Sequence, residues 1–302
     1  MFTSRKTKLA AIFTAGALAL AGCSSDDGNG GTGASGDDTY KIGINQLVQH
    51  PALDSATAGF KEAFEEAGVD VEFDEQFASA DLDLVLSVAT PAAQATAQNI
   101  QDTPVLFTAV TDPVSAELID SMDAPGGNVT GTSDAAPVDE QLDLLKELVP
   151  DAEKVGIVYA SGEVNSQVQV DAAKEAAESR DLEIVTQTVT NVTEIPQAVQ
   201  ALGDVDAFYV PTDNLVVSGI ASLVQAAEGS KTPVIAAEAG TVEGGAVATL
   251  GIDYTELGRQ TGEMALRILR DGEDPATTAV ETAKEFTYMV NEEAAERQGV
   301  EI

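Results

Sequence analysis

Carboxylates, amides and hydroxyls stand at the ends of apolar runs along this chain. Asp213 and Asn214 follow YVPT, Glu238 follows VIAA and Asp253 follows LGI. A carboxylate so placed can hold a cationic amine through charge-assisted hydrogen bonds. It can equally cap a helix: Asp213 one that starts near Ser218, and Asp253 one that starts at Tyr254. At Thr90-Pro91 the pattern turns from strand to helix, with Thr90 read as the N-cap and Pro91 as the first helical residue. Free amides and the positive end of the helix dipole suit an anion such as a carboxylate there, although Thr90 can simply close its own helix. Thr108, Ala109 and Thr111 end the next apolar run and add donors; Asp112, before Pro113, reads as a contact or a cap. Asp134 is either hinge or ligand contact, and Gln46 and His50 follow the first run. His50 sits in a His-Pro turn, where a structural hydrogen-bonding role competes with a place in the wall of a site.

Other chemistries are excluded by count. A single Cys and a single His allow no internal disulfide and no zinc cluster of the usual kind. A nucleophile-base site would have to use His50, and no such motif surrounds it. Gly126-Gly127 and Gly244-Gly245 read as turns, since no Lys-Ser/Thr follows to make a phosphate loop. We therefore expect no cofactor, no metal and no catalysis. With 15 Lys+Arg against 51 Asp+Glu, the formal charge of −36 also argues against nucleic acid as a partner.

Two segments precede the globular pattern. Arg5, Lys6 and Lys8 lead into an apolar stretch from Leu9 to Ala21, as in a secretory signal peptide. As a helix that stretch rises only ~20 Å, short of the ~30 Å a membrane span needs. It ends in Leu20-Ala21-Gly22-Cys23, which resembles the bacterial lipobox. That resemblance implies cleavage after residue 22, lipid (palmitate) on Cys23 and an extracytoplasmic protein held at the cell membrane. Residues 23–39 contain no large apolar side chain and read as a flexible tether with a root-mean-square span of ~22 Å.

From Tyr40 the chain alternates. Strands are expected at 40–48, 69–73, 82–89, 104–110, 128–132, 154–160, 183–189, 207–211, 233–237, 246–252 and 285–290. Helices are expected at 51–68, 91–100, 138–148, 166–179, 195–202, 218–227 and 254–269. This means an α/β chain of two doubly wound, Rossmann-like lobes in tandem, whose ligands sit beyond the carboxyl ends of the strands. We place lobe 1 at 40–134 plus 254–275 and lobe 2 at 135–253 plus 276–302.

The strand-end loops, read in order, are INQLVQHPALD (44–54), VATPAAQA (88–95), FTAVTDPVSAEL (107–118), PGGNVTGTSD (125–134), YVPTDNLVVS (209–218) and LGIDYTELGRQTGEMA (250–265). Together they resemble the solute-binding lipoproteins of ABC importers for tryptophan and tyrosine, over the chain from about Tyr40 to its end. The resemblance implies a periplasmic-binding-protein type I fold with three interlobe crossings. It also implies a monomer that holds tryptophan, tyrosine or phenylalanine between its lobes and passes it to a permease with its ATPase. A receptor of the same fold that signals to a membrane sensor, or an exported hydrolase, are the alternatives. One departure stands out: only 74–81 joins two strands where the family pattern has some fifteen further residues and a helix. Phe77 and Leu82 are the residues available to cover the face this leaves bare. The aromatic wall of a pocket is not placed by position, with Phe107, Tyr209 and Tyr254 as candidates.

Overall fold

The computed structural model describes residues 39–76 and 81–302. The expected signal peptide, Cys23, the expected tether as far as residue 38 and Phe77 lie outside the described residues. Among the described residues no helix is long and apolar enough to cross a membrane.

Two six-stranded sheets form two lobes. The first lobe contains β1 (Tyr40–Gln46), α1 (Pro51–Glu66), β2 (Val71–Asp74), β3 (Leu84–Val88), α2 (Thr90–Asn99), β4 (Val105–Val110) and β5 (Val129–Ser133). The second contains α3 (Val138–Leu148), β6 (Lys154–Ala160), α4 (Val164–Glu178), β7 (Glu183–Val189), α5 (Ile195–Leu202) and β8 (Ala207–Val210). It continues through α6 (Asn214–Ser218), α7 (Ile220–Ser230), β9 (Val234–Ala236), α8 (Ala239–Glu243) and β10 (Ala248–Gly251). The chain then returns through α9 (Tyr254–Leu266) and β11 (Glu281–Thr282) to the first lobe. It ends in the second with β12 (Thr287–Val290) and α10 (Glu292–Gln298). The strand orders are β11-β5-β4-β3-β1-β2 and β12-β10-β9-β8-β6-β7, parallel apart from β12, which runs antiparallel to β10. The lobes are therefore joined by crossings at 134–137, 252–253 and 283–286. This is the type I architecture with its three passages.

One boundary moves. The sequence reading ends the first lobe's returning segment at 275, but β11 pairs with β5 through Glu281 and Thr282 and belongs to the first sheet. Two residues of strand carry no periodicity to reveal this. The short helices α6, α8 and α10 escape a periodic reading for the same reason, since five to seven residues complete at most two turns.

In the first lobe α1 and α9 cover one face, burying Phe60, Phe64, Leu257 and Met264 against Ile42, Leu84 and Leu86. The other face packs Val85, Phe107 and Val129 under α2 and the segment that carries Ile119. β1 lies between β2 and β3 and pairs with both strands. Leu82 is half-buried against the Val85–Phe107 cluster, as the sequence reading asks of it. Phe73 is held on the opposite side by Phe60 and Phe64, with ring centroids 6.3 and 6.0 Å away.

Phe107 and Tyr209 are core residues, each fully buried. The Tyr209 hydroxyl donates to Gln141 Oε1 at 2.6 Å, and burial pushes its pKa up. Gln141 Nε2 in turn donates to the carbonyls of Leu250 (2.8 Å) and Ala237 (3.2 Å), tying α3 to the ends of β9 and β10. Gln141→Leu would strand a buried phenol and two carbonyls, at a cost of about 2–3 kcal/mol. A melting temperature lower by about 5–10 °C is expected for a chain of this size. A thermal melt with less than a couple of degrees' loss would contradict this.

Candidate functional site

The carboxyl ends of the two sheets face each other. Between them lies a cleft of about 470 Å³. Leu47, Val48 and Pro91 of the first lobe form one wall, and Glu163, Val189 and Leu215 of the second form the other. Leu47 and Val48 are 39% and 36% exposed, so apolar surface faces the opening. A volume and lining of this kind suit a small ligand with an apolar body and a few fixed polar contacts.

Thr90 precedes the cleft-lining Pro91, but it is not the cap. The helix is capped by Ala89 at φ 82°, and Thr90 is its first residue with Pro91 second. The Thr90 side chain is buried and its hydroxyl has no partner among the described residues. On the adjacent strand Ala109 also has positive φ, 55°, where the β4–β5 register shifts between Phe107 and Val110. Two alanines in the left-handed region at neighbouring strand ends represent stored strain of the kind that collects where a ligand must be met.

Under the cleft the lobes touch. Thr111 donates to Asp134 Oδ1 at 2.9 Å and lies 3.3 Å from Thr212 of the second lobe. Gln169 bonds Thr212 through both its amide nitrogen and its oxygen. Tyr254, just after the second crossing, donates to Asp134 Oδ2 at 2.8 Å. Burial raises the Asp134 carboxyl above its usual range, partly offset by these two hydroxyls, and raises the Tyr254 phenol well above its own. His50 Nε2 lies 3.4 Å from Asn214 Oδ1 across the same seam.

Asp213 is fully buried and fully engaged. Its Oδ1 accepts from Val216 N at 2.8 Å, and its Oδ2 from Ala160 N at 2.5 Å and the Ser166 hydroxyl at 2.7 Å. It caps α6, which starts at Asn214 rather than near Ser218, and it locks the loop after β6 to the loop after β8. Burial, with the Glu163 carboxylate beside it, pushes its pKa up to about 6. Glu163 is the residue the sequence reading missed. Its Oε2 accepts from Asn214 Nδ2 at 2.5 Å and Asn214 N at 3.2 Å, while Oε1 accepts from Leu215 N alone, at 3.0 Å. An acceptor position thus remains on an oxygen of a residue that lines the cleft. The same rule that selected Asp213, polar residues just after a strand, applies to Glu163 three residues beyond β6.

The structure draws Ala109, Thr111, Asp134, Asp213, Asn214 and His50 together at the seam, with Thr90 beside the cleft. Three others it places elsewhere. Thr108 lies under α9, accepting from Thr132, whose hydroxyl is 2.7 Å from that of Thr261. Gln46 is occupied by Asp54, Thr57 and the Val48 carbonyl, bracing the loop that carries Leu47 and Val48. Asp253 is exposed and caps α9 through Thr255 N and Glu256 N.

Residues 41–302 match the family described as ABC transporter substrate binding protein. The chain belongs to that family. This substrate-binding protein is 38% identical to a tyrosine-binding protein of Clostridioides difficile (strain R20291), over 96% of this chain and 91% of that one. Its structure is similar to that of an ABC domain in complex with L-Trp from Streptococcus pneumonia. There the TM-score is 0.83 at 35% identity, with 88% of this chain and 96% of that chain covered. It is also similar to the ligand-free, open structure of a substrate binding protein with adhesive properties from Clostridium difficile. In that comparison the TM-score is 0.67 at 42% identity, over 87% of this chain and 96% of that one. The substrate-binding protein thus superposes better on the liganded relative, although its sequence is nearer the open one. The direct contacts Thr111–Thr212 and His50–Asn214 agree with a closed arrangement of the lobes.

Proposed function

We propose that this substrate-binding protein takes up an aromatic amino acid, L-tyrosine or L-tryptophan, between its lobes and delivers it to an ABC permease. The observation that carries this reading is the apolar-walled cleft with a buried, unpartnered Thr90 hydroxyl beside the N-terminus of α2. Thr90 and the first amides of α2 receive the ligand carboxylate, where free N–H groups and the helix dipole converge. Glu163 Oε1, with Asn214, receives the ammonium, because both oxygens of Asp213 already serve the loops around it. Leu47, Val48, Val189 and Leu215 flank the ring. Gln46, Thr108, Asp213 and Asp253 hold the frame that presents these groups. The names of the tyrosine-binding and L-Trp-bound relatives support the same ligand class. The lipobox-like Leu20-Ala21-Gly22-Cys23 supports export and anchoring through lipid on Cys23, so that the protein works as a tethered monomer beside the permease and its ATPase.

The chain has no Trp, which makes the test direct. L-Tryptophan excited where Tyr does not absorb becomes the sole emitter. Titration of the mature, non-lipidated chain should give a saturable blue shift that L-tyrosine reverses and L-leucine does not. A folded sample that leaves the emission unchanged, and on which L-tyrosine raises no melting temperature, would sink the aromatic reading.

A further inference from the structure

The lobes close on each other around an imidazole. His50, the chain's only histidine, comes from the first lobe and is buried against Asn214 of the second. Its other ring nitrogen, Nδ1, is buried without a partner among the described residues. Glu238 at the start of α8 and Asp213 at the start of α6 face the same seam from the second lobe, and Asp134 and Tyr254 face it from the first crossing and the start of α9. Glu163 adjoins through Asn214, while Asp54 on the first turn of α1 is taken by Gln46. No lysine or arginine is among the residues lining this seam. Closure therefore buries several carboxylates and one imidazole with no fixed positive charge among them.

We propose that closing the lobes takes up a proton on the carboxylates of the seam around His50, so that ligand binding tightens as the solution becomes more acid. When the lobes part, Glu238 and Asp213 lose the cover of the first lobe and regain water, which favours their charged forms. When the lobes meet, desolvation favours the neutral, protonated forms of these carboxylates. Burial already holds Glu238 above the usual carboxylate range, with the nearby His50 acting the other way. The state that binds more protons gains as pH falls. The binding readout rests on the ligand assignment above; the shape readout does not.

The first measurement is small-angle scattering of the ligand-free chain at about pH 8 and about pH 5, between which buried carboxylates can change charge. A smaller radius of gyration at the lower pH is expected. The second is calorimetric titration with L-tryptophan in two buffers of different ionisation enthalpy. Net proton uptake is expected, with Kd falling by up to about tenfold per pH unit for one proton. Glu238→Gln keeps a side-chain oxygen for Gly240 N at the start of α8 and takes no proton. It should flatten both dependences. Asp134→Asn, which keeps an oxygen for the Thr111 and Tyr254 hydroxyls, gives a second route to the same flattening if the first variant fails to fold. An unchanged radius together with zero proton uptake would overturn the proposal. If L-tryptophan fails to bind while the pH-dependent compaction persists and is lost in Glu238→Gln, the ligand reading falls and this one stands.

Discussion

Gly258→Val should leave the first lobe unable to assemble. A Cβ at Gly258 would meet the Ala56 carbonyl oxygen at 1.9 Å, and a Cβ at Gly59 on the facing helix would meet the Thr255 carbonyl oxygen at the same distance. Backbone on backbone cannot yield by a rotamer change, so α1 and α9 would have to separate. That opens the core around Phe60, Leu257 and Met264, and overpacking of this kind costs about 3 kcal/mol or more. The damage reaches the site by geometry. α1 begins just after His50 and follows the Leu47–Val48 wall, while α9 begins at Tyr254, whose hydroxyl holds Asp134 at the crossing. Loss of soluble expression, or a melting temperature lower by at least about 6 °C, is expected. Gly229→Ala is the control: Gly229 lies in α7 with nothing within 4 Å of its would-be Cβ, so alanine there should be neutral or stabilising by up to about 1 kcal/mol. A Gly258→Val protein that melts with the parent would mean that these helices do not lie this close.

Much of this arrangement is legible in the residues, and the illegible part has a physical reason. Alternating apolar runs and amphipathic stretches identify both sheets because each strand buries a contiguous set of side chains. The strand-end rule reaches the correct loops, but it cannot say which carboxylate in a loop is free. Asp213 is consumed by Ala160 N and Ser166, residues separated from it by 53 and 47 positions, and no local pattern announces donors at that distance. Glu163 looks like an exposed acid beside Gly162 until the fold brings Asn214 and Leu215 to it. Thr90 has the composition of a cap, yet Ala89 takes that position in a left-handed conformation that an alanine seldom adopts. Tertiary contacts chose among locally equivalent alternatives in each case.

Glu163→Gln should weaken L-tryptophan binding by about 10- to 100-fold, the loss expected when an ammonium forfeits a charged acceptor. Glutamine preserves the length of the side chain and can still offer an oxygen to Leu215 N, so the change removes charge more than shape. The pH profile of stability separates a binding role from a merely structural one. Asp213 is raised from 3.8 to about 6 in the folded chain, so the folded state holds that proton more tightly than the unfolded state does. Its contribution to stability is therefore greatest at low pH, declines as pH rises from about 4 to about 6, and stays at its lower value above. Part of that elevation comes from the Glu163 carboxylate itself, so Glu163→Gln should bring the Asp213 transition down in pH and make the decline shallower. Loop support alone predicts a lower melting temperature at every pH with binding restored once the protein is demonstrably folded. A charged acceptor for the ligand predicts folded protein, a shallower pH profile and binding still weak at saturating stability. Fluorescence titrations and melts of the parent and Glu163→Gln across that pH range read both outcomes from the same samples. Parent-like affinity in the folded variant would return the ammonium to another acceptor, with Asn214 the residue to replace next.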